Sequence, residues 1–412
     1  MKSTRPLRIA YLVNIFPMLS ETFVLNQVVG MLQRGHTVDI YAATEGDWMR
    51  THPDIEHYRL RARTHIARLP GGRLARLAGL PTLVRDCKWP LLLLRALDPF
   101  TFGEEALSLR LTYFAAAWRP EPYDILHCQF GTLGTLGLAL RRLYAPQAKV
   151  VVAFRGYDIS RHVRDSGAGV YRDLFAQGDL FLPNSDFFGR RLVELGCAEH
   201  KIAVHRSGLD CRRFPFRERQ ARPGGGVRIA TVGRLVEKKG VEYAIRALAL
   251  LRDRHPHVAL DIIGDGPLRE PLERLVAALG LQDNVRLLGA KPLPEIIALL
   301  DGADLFVAPS VTAADGDQDA PLNTLKEAMA LGLPVVSTWH GGIPELVEDG
   351  VSGYLAPERD AAALADCFAR LVAEPERWAA MGRAGRRRVE ADYDLEGLND
   401  LLEARYWKLV EH

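Results

Sequence analysis

Apolar residues along this chain fall in short runs that alternate with stretches of helical spacing. "LRIAYLVNIF" reads as a buried strand, "TFVLNQVVGMLQRG" as a helix stopped at Gly35, and "HTVDIYAAT" as the next strand. "DILHCQF", "KVVVAFRG" and "DLFLPNS" continue the strand series, with "GTLGLALRRLY" and "YRDLFAQG" as helices between them. Strands that alternate with helices predict a parallel sheet covered on both faces. Around residue 208 the alternation breaks into "GLDCRRFPFRERQARPGGG", whose Arg, Pro and Gly content marks a linker. A second series follows: "VRIATVGRL", "VALDIIGDG", "NVRLLGA", "DLFVAPS" and "PVVST" as strands, with helices such as "KGVEYAIRALALLRDRH" and "PLREPLERLVAALG" between. The pattern therefore predicts two doubly wound α/β domains. Ligands of such sheets sit beyond the carboxyl ends of the strands, so two of them face to face enclose a deep cleft.

Composition narrows the partners. A chain of 412 residues exceeds what one core organises, in keeping with two domains. A formal net charge of +2 argues against a nucleic-acid binder driven by bulk electrostatics. The five cysteines, Cys87, Cys128, Cys197, Cys211 and Cys367, show no paired spacing, which suits a reducing cytoplasm and gives no zinc or redox motif. The start, "MKSTRPLRIAYLVNIF", reads as a first strand rather than a secretory signal, and no apolar run is long enough to span a membrane. One region is lopsided. From Arg59 to Arg95 there are nine Lys or Arg against a single acid, Asp86, and "LAGLPTLVRDCKWPLLLLRAL" interleaves them with Leu and Trp89. Such a stretch lies against an anionic membrane interface or folds back as a loop-and-helix excursion whose leucines pack on the domain. Pro81 and Pro90 break up any single long helix.

The loops after the strands of the second half carry the chemistry. Gly233, Arg234, Lys238 and Lys239 bring a tight turn and positive charge to a helix N-terminus, a combination that suits a pyrophosphate. Gly264, Asp265, Gly266 and Pro267 form a turn signal, and His340-Gly341-Gly342 precedes another helical run. Between them, "DQDAPLNTLKEAMALG" sets Asp319 outside a helix start and Glu327 within it. The structural reading makes Asp319 an N-cap, Pro321 a first-turn proline and Gly332 a C-terminal cap. The functional reading has both acids grip a ligand across the helix start.

"VGRLVEKKGVEYAIRAL", "IIGDGPLR", "DQDAPLNTLKEAMALGLPVVST" and "GGIPELVEDGVSGYLAPERD" together resemble glycosyltransferase family 4. "FPMLSETFVLNQVVGMLQRGHTVDIYA" is similar to the branch that builds bacterial exopolysaccharides such as colanic acid and amylovoran. The resemblance spans nearly the whole chain and is strongest over 228–360. It implies the GT-B fold: an acceptor-binding Rossmann-like domain over 1–207, a nucleotide-sugar-binding one over 208–394, and a final helix, 395–412, packed back on the first. It implies retaining transfer of a sugar from a UDP-, GDP- or ADP-sugar to a hydroxyl of a glycan or lipid-linked oligosaccharide, with no metal or other cofactor. That places the protein in the cytoplasm, at the inner face of the plasma membrane if residues 59–95 touch it.

The family motif is Glu, seven residues, Glu. Glu327 matches the acid that binds the nucleotide ribose. Asp319 stands at the other position, facing the transferred sugar, but is one methylene shorter and reaches about 1.5 Å less far. By the same resemblance Arg234 and Lys239 neutralise the leaving diphosphate, while backbone groups at Leu322, Asn323 and Thr324, with Gly233, Gly264 and Asp265, line the donor site. On the acceptor side stand Ser20, Glu21, Thr22, Gln129 and Asp158. Gln129 and Arg155 occupy places where relatives often carry His, and Arg155 is also placed to salt-bridge Asp158. His127, at a strand end, reads as packed rather than catalytic. A non-catalytic nucleotide-sugar-binding scaffold of the same fold is the alternative. An epimerase of this fold is disfavoured because its His and acidic constellation is missing.

Overall fold

The structure is a computed structural model that describes residues 5–18, 21–49, 52–87, 90–222, 224–319 and 322–411. Its strands are β1 (Arg8–Phe16), β2 (Thr37–Glu45), β3 (Thr64–Ile66), β4 (Ile125–Cys128), β5 (Lys149–Phe154), β6 (Leu180–Pro183), β7 (Val227–Val232), β8 (Val258–Ile263), β9 (Val285–Gly289), β10 (Leu305–Ala308), β11 (Val335–Thr338) and β12 (Gly353–Ala356). They form two six-stranded parallel sheets, ordered β3-β2-β1-β4-β5-β6 and β12-β11-β10-β7-β8-β9. Both orders are the doubly wound one, in which the first strand of each half lies beside the fourth. The direction of winding reverses there, at β1/β4 and at β7/β10, and opens a crevice beyond the strand ends.

Each sheet is buried on both faces because its central strands are apolar on both. Tyr11 and Val13 of β1 face one core cluster with Val28 and Met31, whereas Ala10 and Leu12 face the other with Leu136 and Phe114. The second sheet repeats the plan, with Ile229, Leu260 and Val307 on one side and Phe306, Met329 and Val335 on the other. Pro271 does not break its helix, Arg269–Ala278, because it falls in the first turn, where no intrahelical acceptor awaits an N–H.

The segment after residue 208 is docked rather than free. Leu209, Cys211 and Phe214 enter the second core. Arg219 donates to the carbonyls of Asp301 and Leu331, and Arg222 donates to the Gly302 carbonyl and pairs with Asp304, so these arginines serve helix C-termini whose last carbonyls lack partners. The chain crosses back at Tyr393–Leu395, pairing with Leu209 through N–H···O bonds of 2.8 and 3.2 Å. The last helix, Leu395–Val410, then lies on the first domain. Tyr406 reaches the Tyr11 hydroxyl (3.2 Å), Glu403 pairs with His36, and Arg34 pairs with Asp400.

Candidate functional site

The strand ends of the second sheet converge on one cluster. After β7 a short turn, Glu237–Lys239, is closed by Gly240 at φ +61°. A Cβ there would lie 1.8 Å from the Pro309 carbonyl oxygen, so only glycine lets the turn sit against the loop that follows β10. That contact brings Lys238 and Lys239 onto Asp319. Lys239 Nζ is 2.8 Å from one carboxylate oxygen and Lys238 Nζ 3.2 Å from the other, with Lys238 also 2.9 Å from Asp317. Asp319 is 8% exposed. Burial alone would raise its pKa, but Lys239 and Lys238 outweigh burial and hold it below the usual carboxylate value. For Lys238 burial pulls the other way, and Asp319 and Asp317 raise it on balance.

Asp319 is not a cap. The helix runs Asn323–Ala330 with Leu322 at the N-cap and no side-chain cap hydrogen bond; its far end does close through Gly332 at φ +85°. Pro321 lies outside the described residues. Asn323 and Thr324 form the first turn, whose N–H groups have no intrahelical acceptor. Glu327 is partly exposed, and burial, opposed by Lys326 and Arg213, raises its pKa. Lys326 is enclosed: Nζ donates to the Ser207 carbonyl at 2.6 Å and lies 5.3 Å from the Tyr393 ring centre. Burial pushes it down to about 7. The Arg234 side chain is exposed and, among the described residues, makes no hydrogen bond or ion pair, whereas its backbone carbonyl accepts the Val236 N–H at 2.9 Å. A Cβ on Gly233 would just reach the Lys239 stem, at 3.7 Å, and a Cβ on Gly264 would lie 1.9 Å from the Gly233 carbonyl oxygen. Exposed Asp265 accepts from Gly266 N–H at 2.7 Å, a turn at the same rim.

Across the cleft, the first sheet contributes a buried polar chain. Arg155 donates to Gln129 (2.8 Å) and Ser207 (3.2 Å), lies 3.9 Å from the Phe23 ring centre, and Gln129 donates on to Gln27 (2.8 Å). Burial pushes Arg155 down to about 10. Its guanidinium does not salt-bridge Asp158. That carboxylate is fully buried and accepts the backbone N–H groups of Gly131, Arg155 and Gly156, so it shapes the loop after β5 instead of facing an acceptor. Gln129 is likewise sealed off from the cleft. Glu21 is half-buried, with one oxygen unpartnered, and burial, opposed by Arg155, pushes it up to about 7. Thr22 is exposed at the start of its helix; Ser20 lies outside the described residues. His127 is enclosed, stacked on Tyr11 and hydrogen-bonded to Tyr406.

The two halves touch around this cluster. Arg161 pairs with Asp315 (2.7 Å), Arg164 donates to the Ala314 carbonyl (3.1 Å), and a Cβ on Gly156 would lie 2.9 Å from the Gln318 carbonyl oxygen. Glu345 accepts the first two N–H groups of the helix Asp186–Glu194 (2.8 and 2.7 Å). A cavity of about 440 Å³ opens beside these contacts, lined by Ser160, Arg164, Phe187, Arg190, Thr312 and Gln318. Lys326 and Glu358 carried no sequence signal, one being a lysine on a buried helix face and the other a surface-like acid. Both become visible only once the sheet order brings separate loops together.

Two family models cover the chain in turn: a glycosyl transferase 4-like domain over residues 20–208 and glycosyl transferases group 1 over 213–388. The chain is 39% identical to the putative colanic acid biosynthesis glycosyltransferase WcaL of Salmonella typhimurium, covering 95% of this chain and 98% of that protein. It is 40% identical to the amylovoran biosynthesis glycosyltransferase AmsK of Erwinia amylovora, covering 92% and 94%. Among solved structures it matches Anabaena Alr3699/HepE in complex with UDP (TM-score 0.72, 18% identity, 97% and 99% covered). It also matches the Thermosynechococcus elongatus sucrose-phosphate synthase (TM-score 0.70, 19% identity, 98% and 99% covered). Two doubly wound domains, an acidic pair eight residues apart at the second switch point, and this likeness along nearly the whole length make the chain a member of glycosyltransferase family 4 with the GT-B fold.

Proposed function

We propose that this protein is a retaining, metal-independent glycosyltransferase of cell-surface glycan assembly, which moves a sugar from a nucleoside-diphosphate donor to a hydroxyl of a glycan or lipid-linked acceptor. The observation that carries this reading is the joining of Asp319 to Lys238 and Lys239 at the start of the helix that holds Glu327. A diphosphate laid across that helix start meets free N–H groups, Lys239 and the unpaired Arg234. Breaking the bond to the sugar puts negative charge on the leaving oxygen, which these groups stabilise in place of a metal ion. Asp319 holds the transferred sugar and Glu327 the ribose. No protein nucleophile is required: the acceptor hydroxyl enters on the face the diphosphate leaves, and a diphosphate oxygen takes its proton. The cavity beside Gln318 gives the acceptor an approach.

The names of the relatives, colanic acid and amylovoran biosynthesis enzymes, support an exopolysaccharide role. A GDP-mannose-dependent mannosyltransferase of Mycolicibacterium smegmatis, 39% identical over 275 residues, keeps guanosine donors beside uridine and adenosine ones in the test. Residues 59–95 bring the enzyme to the cytoplasmic face of the membrane, where lipid-linked acceptors lie. A thermal-shift panel of UDP-, GDP- and ADP-sugars tests the donor, since a ligand at 100 times its Kd stabilises by about 2.7 kcal/mol. No shift with any of them sinks the reading. A shift without acceptor-dependent release of nucleoside diphosphate supports the scaffold instead. Activity is expected to survive EDTA; loss that magnesium or manganese restores overturns metal independence.

A further inference from the structure

The acidic loop after β10 is bracketed at both ends by one pair of side chains. His340, in the loop after β11, is fully buried. Its Nε2 lies 3.0 Å from the Asp319 backbone nitrogen, which donates to it. Its Nδ1 lies 2.6 Å from Glu358, in the loop after β12. The other Glu358 oxygen accepts the Thr312 N–H at 2.7 Å. A carboxylate that receives Thr312 N–H is an acceptor, so Nδ1 carries the imidazole proton and Nε2 presents a lone pair to Asp319. Thr312 opens the loop and Asp319 closes it, and Gln318 Nε2 ties back to Thr312 Oγ1 at 3.1 Å. Gly341 completes the fit: at φ +51°, a Cβ there would lie 2.4 Å from the Asp319 carbonyl oxygen.

We propose that His340, held in its Nδ1–H tautomer by Glu358, is the positioning residue that fixes Asp319 against the donor sugar. The chemistry of this site makes such a hold matter. An aspartate places its carboxylate with only two side-chain torsions, so the backbone at Asp319 sets where the charge sits. A glutamate there would have one more torsion with which to correct. The inference rests on the reading that Asp319 serves the transferred sugar, and the tests keep the two apart.

Three variants decide it: His340→Ala, His340→Gln and Glu358→Gln. The glutamine amide offers an acceptor and a donor in place of the two ring nitrogens. Hydrogen–deuterium exchange over residues 312–322 needs no donor. About tenfold faster exchange at the Asp319 amide is expected in His340→Ala, with recovery in His340→Gln, since one lost hydrogen bond is worth about a factor of ten. Steady-state kinetics with the sugar nucleotide that the wild type turns over should show kcat falling about 10- to 100-fold in His340→Ala, with donor KM nearly unchanged. His340→Gln should recover most of the rate, and Glu358→Gln should fall between. Wild-type exchange at Asp319 in His340→Ala overturns the proposal. So does a loss of kcat that His340→Gln does not recover and that tracks a lowered urea midpoint. If the wild type turns over no nucleotide sugar, the functional reading fails, while the exchange measurement still decides whether His340 holds Asp319.

Discussion

Lys239 and Asp319 are each other's counterions, and Lys238 shares the same carboxylate, so a change at one residue alters the charge environment of all three. Lys239→Ala leaves Asp319 paired to Lys238, and the fold should hardly notice. The leaving diphosphate loses a fixed positive group, which by analogy with other preorganised donors costs about 2.7 to 4 kcal/mol of barrier. The expected result is a 100- to 1,000-fold fall in kcat with a urea midpoint close to wild type; near-normal turnover would remove Lys239 from the site. Lys326 tests linkage rather than catalysis. Burial pushes its folded pKa down to about 7, below the ordinary lysine value of 10.5, because burial outweighs the favourable charge of Glu327 and Arg155 adds to the depression. Between those two values the unfolded chain binds the proton that the folded one releases, so this residue makes stability rise with pH from about 7 to 10.5. Denaturation of Lys326→Met across that window should show a flatter rise than wild type. Identical slopes would mean that the ammonium stays charged beneath Glu327.

At the scale of elements, the close approach of the Glu237–Lys239 turn to the β10 loop depends on Gly240. An alanine there keeps a left-handed φ and drives its methyl into the Pro309 carbonyl. Gly280→Ala is the control, with the same sign of φ (+63°) but only the flexible Arg252 guanidinium nearby, at 3.6 Å. Both should lose about 1 to 2 kcal/mol from the backbone term, and Gly240→Ala should lose more on top of it; equal urea midpoints would mean that the turn can move away. The pattern of apolar runs reveals the interior strands of both sheets. It hides the edge strands β3 and β12: β3 is Thr-His-Ile, with a single apolar residue, and β12 opens on Gly353 just after Ser352, among residues that read as a turn, whereas β10, no longer than β12, is apolar throughout. Asp319 and Glu327 were legible as a pair from their spacing, and Lys239 from its place at a helix start. Lys238 and His340 were legible as members of unusual loops, but not what they bind, and Glu358 was not legible at all. The three stand on different loops, and the neighbouring of β12, β11, β10 and β7 sets Lys238 on the Asp319 carboxylate, His340 on its backbone N–H and Glu358 behind His340. Arg155 misleads for a related reason: sequence proximity points it at Asp158, whereas the loop turns that acid onto backbone N–H groups and leaves the guanidinium to Gln129 and Ser207.

At the scale of the molecule, the basic, leucine-rich stretch divides into an anchor and an exposed face. Trp89 lies outside the described residues. Among the described ones no helix is long and apolar enough to cross a membrane. Leu93 and Ala96 enter the first core, so part of the stretch is the packing excursion that its prolines suggest. Leu91 and Leu94, on the same short helix, are 76% and 64% exposed, and Leu74 and Phe100 on the flanking helices are more exposed still. Arg59, Arg61, Arg68, Arg73 and Arg95 are also exposed. A surface of this kind, held rigidly by its buried side, can seat in an anionic interface at up to about 1 kcal/mol for each basic residue near the headgroups, with shallow insertion of leucines adding to it. Association should therefore be reversible and weaken as salt screens the charges. Flotation with phosphatidylglycerol vesicles at low and high salt measures this directly. The double variant Leu91→Ser/Leu94→Ser should keep its urea midpoint, because both side chains already face solvent, and should float less at either salt concentration. If the wild type ignores these vesicles even at low salt, the exposed leucines do not serve a membrane and the enzyme meets its acceptor in solution.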